Sequence, residues 1–96
     1  MAWTFESEIY LWHAGESWHL LNVPEDVADD IDEQVPDKRG FGSVRVKVTI
    51  GSFEWQTSVF PSKEQRTYVL PIKKAVRTAE DLAVGDRAQV TLEIAQ

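Results

Sequence analysis

The stretch from Tyr68 to Asp86, YVLPIKKAVRTAEDLAVGD, constrains the fold most, because it combines a strand, a short helix and a tight turn. Proline has a fixed φ and no N–H, so Pro71 is predicted to open the helix and the preceding residue to end a strand. Apolar residues then recur at helical spacing, at Ile72, Ala75, Val76 and Ala79. Gly85 and Asp86 are predicted to turn the chain into a last alternating strand over residues 87–94.

The N-terminal residues predict a hairpin. Residues 3–12 alternate so that Trp3, Phe5, Ile9 and Leu11 share one face, which predicts a single strand. Residues 13–17 are mostly polar and predict a five-residue loop before a second strand over residues 18–23. Trp12 and Trp18 bracket that loop. If they face each other across the hairpin, the aromatic pair adds ~0.2–1 kcal/mol and sets the register.

A first helix is predicted between Pro24 and Pro36, because proline and carboxylates both suit the first turn of a helix. Its apolar residues form one narrow stripe, which consists of Val27, Ala28, Ile31 and Val35. Its other face carries like charges at i, i+4 spacing, which are mildly destabilising. We therefore expect packing to hold this helix and its acidic face to be solvated.

The middle of the chain gives the clearest strand pattern. Residues 43–50 and 53–60 surround Gly51-Ser52, which fits a two-residue type II′ turn. The polar residues 37–42 are the best hinge candidate, and residues 66–70 predict a fifth strand. The predicted order is β-β-α-β-β-β-α-β. Six short strands and two short helices predict a mainly β fold, a small six-stranded barrel, in one domain spanning residues 1–96.

Charge and composition narrow the class of protein. The net charge is −6, and it divides into −9 over residues 1–36 and +3 over the rest. This acidic protein should repel a polyanion at one part and attract it weakly at the other. There is no cysteine and no apolar run of the ~20 residues that a membrane span needs, and the acidic N-terminal residues are not expected to act as a signal peptide. These features predict a cytoplasmic protein without membrane contact. A monomer is favoured, and a dimer stays open.

Several short motifs resemble a known family. They are Phe41-Gly42-Ser43-Val44, Val48-Thr49-Ile50-Gly51, Ser58-Val59-Phe60-Pro61, the run from Tyr68 to Arg77, and Val84-Gly85-Asp86. Together with the segment from Trp18 to Val27, they resemble the bacterial domain-of-unknown-function 1905 family over nearly the whole chain. The resemblance implies a double-split β-barrel and no established activity. It supplies no catalytic residues.

A second resemblance covers residues 68–94 alone. Leu70-Pro71-Ile72-Lys73, Arg77, Leu82, Gly85-Asp86 and Val90 are similar to the AbrB-type swapped-hairpin DNA-binding domains. In those proteins two short chains interlock into one barrel and present basic residues to DNA. This chain is predicted to supply six strands itself and has an acidic first third. Shared shape is therefore favoured over shared function.

Two sets of candidate site residues follow. A non-enzymatic module that binds an unknown protein or small molecule would use Tyr10, Trp12, Trp18, Lys73, Lys74 and Arg77. The alternative is an AbrB-like nucleic-acid-binding domain, which would use Arg45, Lys47, Lys73, Lys74 and Arg77 as one basic patch. Nucleic acid is the less favoured partner.

An enzyme of unknown reaction comes third, because the sequence has no nucleophile elbow, phosphate loop or zinc-protease motif. No catalytic residue is therefore predicted. His13, Glu16 and His19 straddle a flexible loop, which orients metal ligands poorly, so no metal site and no cofactor are predicted either.

Overall fold

A computed structural model describes residues 2–14, 16–37 and 42–95. The predicted hinge at residues 37–42 and the predicted loop around residue 15 lie partly outside these ranges. The described elements follow one another as β1 (Ala2–Glu8), β2 (Tyr10–Ala14), β3 (Glu16–Asn22), α1 (Glu25–Gln34), β4 (Val44–Ile50), β5 (Phe53–Ser62), β6 (Thr67–Pro71), α2 (Lys74–Ala79) and β7 (Arg87–Ile94).

The strands form one antiparallel sheet in the order β1-β7-β4-β5-β6-β3-β2. β5 joins its two halves, because its first residues pair with β4 and its last residues pair with β6. The strands at the two ends of this order, β1 and β2, are separated in sequence by Ile9 alone. The sheet must therefore curl on itself. The result is a half-barrel, and the mainly β fold with two short helices is confirmed.

Ile9 connects the two edge strands of the curled sheet. Its side chain is fully buried. Its N–H donates to the carbonyl of Asp86 at 2.9 Å, and its own carbonyl accepts from Gly85 at 2.8 Å. Nearby, the Ser7 hydroxyl donates to the carbonyl of Asn22 at 2.8 Å, so the end of β1 is tied to the end of β3. Because both backbone polar groups of Ile9 are satisfied, the chain can pass through this buried position from one edge of the sheet to the other.

The core lies inside the curl. The inward residues of β4, which are Val44, Val46, Val48 and Ile50, are all buried. The stripe predicted for α1 is confirmed, since Val27, Ala28, Ile31 and Val35 all belong to the same core cluster. Each buried aliphatic side chain of this size contributes about 1.5–3 kcal/mol relative to leaving it exposed.

The acidic helix α1 is also held by two aromatic donors. Trp3 Nε1 donates to Asp30 Oδ2 at 3.1 Å, and the Tyr68 hydroxyl donates to Asp32 Oδ1 at 2.5 Å. Burial of the phenol and its bond to the Asp32 carboxylate raise the pKa of Tyr68. The predicted solvated acidic face is therefore modified at two positions: Asp30 is half-buried, and Asp32 is exposed but also accepts a hydrogen bond.

The central hairpin agrees with its prediction. Ile50 pairs with Phe53 across Gly51 and Ser52. Gly51 has a φ of +59°, whereas Ser52 is not among the residues with positive φ. This sign pattern is that of a type II′ turn, in which the first central residue must be glycine.

The predicted N-terminal strand is corrected. It breaks at Ile9 into β1 and β2, so the sheet has seven strands among the described residues, in the order β-β-β-α-β-β-β-α-β. The hairpin loop is shorter than five residues, because His13 already pairs with Ser17. Leu11 keeps the face of Ile9 but is exposed, since β2 extends past the core.

The second helix is also corrected. Pro71 is the last residue of β6 and pairs with Leu20, and the helix begins only at Lys74. A proline can end a strand because its missing N–H need not join the ladder there. Of the predicted stripe, Ile72 and Val76 are buried, while the two alanines are exposed. Within the helix itself, Val76 is therefore the residue that packs on the core.

Candidate binding groove

The outer face of one half of the sheet forms an apolar groove. In the ladders β2–β3 and β3–β6, Trp12 lies opposite Trp18, and Tyr10, Leu20 and Pro71 lie in one row. Val69 and Phe60 pair in the next ladder. Because side chains alternate along a strand, all of these point to the side opposite the core. We call these seven residues the aromatic groove. Its volume is about 410 Å³, and the turn 62–65 lines its far side.

The groove has exposed walls and a buried floor. Trp12, Trp18 and Phe60 are 41%, 43% and 42% exposed. Leu20 and Val69 are only 6% and 8% exposed, yet they do not belong to the core cluster. They therefore form a second apolar layer on the outer side of the sheet.

The two groove tryptophans face each other in register without stacking. Their pairing across the hairpin was predicted from the sequence and is confirmed. Within the described ranges, the ring-to-ring contact is between Phe53 and Trp55, with centroids 5.8 Å apart. Trp12 and Trp18 both line the groove, and each is about two-fifths exposed.

A polar network fixes the far side of the groove. The Tyr10 hydroxyl donates to Asn22 Oδ1 at 2.6 Å, and Asn22 Nδ2 donates to Gln65 Oε1 at 2.9 Å. The N–H of Gln65 donates to the Ser62 hydroxyl at 3.1 Å, which closes the turn. Burial and the nearby Glu64 carboxylate raise the pKa of Tyr10, so its hydroxyl stays protonated and able to donate.

These bonds already satisfy Tyr10, Asn22 and Gln65. The surface of the groove is therefore mainly apolar, and the charged side chains of Lys63 and Glu64 lie at its edge. A concave, mostly apolar surface with a few fixed polar groups is the usual form of a binding site.

The chain matches the model of the family described as Domain of unknown function (DUF1905) over residues 5–92. The chain belongs to the DUF1905 family. A comparison with curated proteins finds no match.

In this DUF1905 chain, three of the six residues predicted for ligand binding line the groove, namely Tyr10, Trp12 and Trp18. Lys73, Lys74 and Arg77 do not. Lys73 Nζ lies 5.7 Å from the ring centroid of Phe53, and Arg77 Nε donates to the carbonyl of Ile72 at 3.1 Å. Burial and the Arg77 charge lower the pKa of His19 on the neighbouring strand.

The basic residues proposed for nucleic acid lie on two sides of the sheet. Arg45 and Lys47 alternate with the buried valines of β4 and therefore point outward. Phe53, beneath Lys73, pairs with buried Ile50 and points inward. Lys47 Nζ is 3.0 Å from Glu93 Oε2, and this bond raises the pKa of Lys47. Arg45 and Lys47 therefore do not share a face of the sheet with Lys73, as the nucleic-acid alternative would need.

The histidines near the first loop do not converge with Glu16. His13 and His19 lie on the inner side of the β2–β3 hairpin, where His13 Nδ1 is 2.9 Å from the Ser17 hydroxyl oxygen. Glu16 alternates to the opposite side. No group of three or more possible metal ligands occurs in the described parts of the chain.

Two other hollows are more polar than the aromatic groove. One, of about 450 Å³, lies between α1 and β6 and carries Asp29, Asp32 and Arg66. The other, of about 360 Å³, carries Glu80 and Arg87.

Among the described residues, no helix is both long and apolar enough to cross a membrane.

Sequence reasoning missed four of the seven groove residues. Leu20, Phe60 and Val69 were assigned only to strands, and Pro71 was assigned to the start of a helix. One signal was available: Leu20-Leu21 and Tyr68-Val69-Leu70 are consecutive apolar residues within strands. A strand that interrupts alternation in this way has two covered or apolar faces.

Proposed function

We propose that this domain is a non-enzymatic binding module and that the aromatic groove is its binding surface. The observation that carries the proposal is the exposure of Trp12, Trp18 and Phe60 above the apolar floor formed by Leu20 and Val69. Contiguous exposed apolar surface is uncommon in monomeric proteins unless it contacts another molecule.

The physical gain comes from covering these rings. Removing apolar surface from water contributes about 25 cal/mol per Å². Aromatic side chains have few rotatable bonds, so ordering them on binding costs little entropy. The network through Tyr10, Asn22 and Gln65 holds the far side in place before a ligand arrives, which lowers the cost of binding further.

The alternative function, AbrB-like binding of nucleic acid, is the less favoured proposal. Its candidate cations lie on both sides of the sheet, and Lys47 is already paired with Glu93. Phosphate binding gains most when several cations face one backbone together.

The test uses an apolar fluorescent probe, 1-anilinonaphthalene-8-sulfonate. The double variant Trp12→Thr/Trp18→Thr should bind the probe at least about tenfold more weakly than the wild type, because both walls are lost. Val84→Thr is the matched control, since Val84 is 52% exposed but lies outside the groove. Far-ultraviolet circular dichroism checks that all three proteins are folded. Equal probe affinity in the wild type and the double variant would contradict the proposal.

A further inference from the structure

The two edge strands of the sheet differ in their protection against further pairing. β1 carries Glu6 and Glu8, and charged residues on an edge strand discourage another strand from joining it. β2 has the sequence YLWHA, without an acidic, lysine, arginine or proline residue. In the described part of the chain it pairs with β3 alone. Leu11 and Trp12 on this strand are 39% and 41% exposed, one on each face.

This unprotected edge borders the aromatic groove. Tyr10 and Trp12 belong to β2 and also line the groove. A strand added beside β2 would place alternate side chains next to these two residues, about 5 Å away. Main-chain hydrogen bonds along an edge and side-chain pockets beside it are the two parts of peptide recognition by strand addition.

We propose that β2 accepts an extended segment of another protein as an additional antiparallel strand, whose alternate apolar side chains enter the aromatic groove. This inference rests on the proposed function and names the class of partner.

Charge decides which segment fits. Exposed carboxylates lie close to both ends of β2, at Glu8 and Glu16. Glu64 adds a third beside the groove, where Lys63 is the one lysine or arginine among the described lining residues. The segment therefore has apolar residues at alternate positions and lysine or arginine at both ends.

A second copy of this chain fits the same edge less well. Antiparallel pairing of two β2 strands about a two-fold axis at Trp12 would bring the Glu8 end of β2 in one copy beside the end of β2 that Glu16 flanks in the other. This would happen twice, and carboxylates brought close together repel each other. A basic segment from a different protein turns both repulsions into attractions.

The experiment measures fluorescence anisotropy of a labelled peptide, Lys-Arg-Val-Thr-Val-Thr-Val-Lys-Arg, titrated with the intact protein. Two further peptides carry N-methyl groups on alternate residues, one set along each edge of the extended peptide. Strand addition uses one edge of the peptide. One methylated peptide should therefore bind at least about tenfold more weakly than the parent, while the other keeps its affinity.

A charge exchange tests the second part of the inference. Glu8→Lys/Glu16→Lys should lower the affinity for the basic peptide about tenfold and raise it by a similar factor for a version with glutamates at both ends. Glu33→Lys/Glu54→Lys is the control, because it changes the net charge equally at exposed positions away from β2. It should shift both affinities far less.

Three results would overturn the inference. The first is equal binding of both methylated peptides, which indicates apolar contact without strand pairing. The second is equal behaviour of the two charge variants. The third is a dimer in sedimentation velocity that excludes the peptide, which assigns the edge to a second copy. In any of these cases, weaker binding of the fluorescent probe by the double variant Trp12→Thr/Trp18→Thr would mean that the groove remains a binding surface and that only strand addition fails.

Discussion

The two halves of the sheet share one core but have opposite outer faces. The half made of β1, β7, β4 and the start of β5 presents polar side chains outward, which are paired through Thr4 with Thr91, Lys47 with Glu93, and Glu6 with Arg87. The half made of β2, β3, β6 and the end of β5 presents the aromatic groove. Alternation of apolar and polar residues is what a sheet with one solvated face requires. The polar half meets that requirement, and the apolar half departs from it.

The difference also separates the floor of the groove from the core. Inward residues of both halves belong to a single core cluster, whereas Leu20 and Val69 lie outside it. The half that contains the groove therefore has a second apolar layer on its outer face, in addition to the core. Such surface is available to a partner, and its cost in the free protein is exposure to water.

The largest expected effect on the free energy of unfolding comes from comparing the inner and outer side chains of β3. Leu21→Ala removes a fully buried core side chain and should lower the free energy of unfolding by about 2–5 kcal/mol. Leu20→Ala, one residue earlier on the outer side, should cost about 1–2 kcal/mol, because water can fill the open groove that it enlarges. Urea unfolding of the two variants measures both values. Equal losses would mean that the outer layer is part of the core and would remove the contrast between the faces.

A smaller effect is expected from the polar network of the groove. Tyr10→Phe removes the bond to Asn22 and should lower the free energy of unfolding by about 1 kcal/mol at pH 7. The pKa of Tyr10 is raised in the folded protein, so the phenol stabilises the fold below the ordinary tyrosine pKa of about 10 and loses that contribution as pH rises through the folded value. Unfolding at pH 7 and pH 11 should therefore show a difference between wild type and variant that shrinks at high pH. If the difference in free energy of unfolding between wild type and Tyr10→Phe is the same at pH 7 and pH 11, the protonated Tyr10 hydroxyl does not stabilise the fold through this network.

The smallest effect should come from the polar half. Lys47→Ala breaks an exposed ion pair with Glu93, and exposed pairs are strongly screened by solvent and salt. The midpoint of thermal unfolding should fall slightly at low salt and match the wild type in 1 M NaCl. Gln56→Ala, at an exposed position on the neighbouring strand, serves as the control. If Lys47→Ala lowers stability more than Leu20→Ala does, the polar outer face contributes more to stability than the apolar one.

Much of the fold could be predicted because local patterns specify it. The β4–β5 hairpin follows from strict alternation around Gly51-Ser52, and α1 follows from its apolar stripe and flanking prolines. Of the groove, Tyr10, Trp12 and Trp18 were identified, since all three lie on one hairpin whose register the sequence indicates. Phe60, Val69 and Pro71 were not, because strand pairing brings them there from distant parts of the chain.

The sequence by itself determined the element types, the turn at Gly51-Ser52, the helical stripe of α1 and the pairing of Trp12 with Trp18. Each of these depends on residues close together in the chain. The tertiary structure alone decided the break at Ile9, the role of Pro71 at the end of β6 and the location of the groove. Proline is compatible with a helix start or a strand end, and an apolar residue with either face of a sheet. Only the curling of the whole sheet, held at Ile9 by its bonds to Gly85 and Asp86, selects between these options.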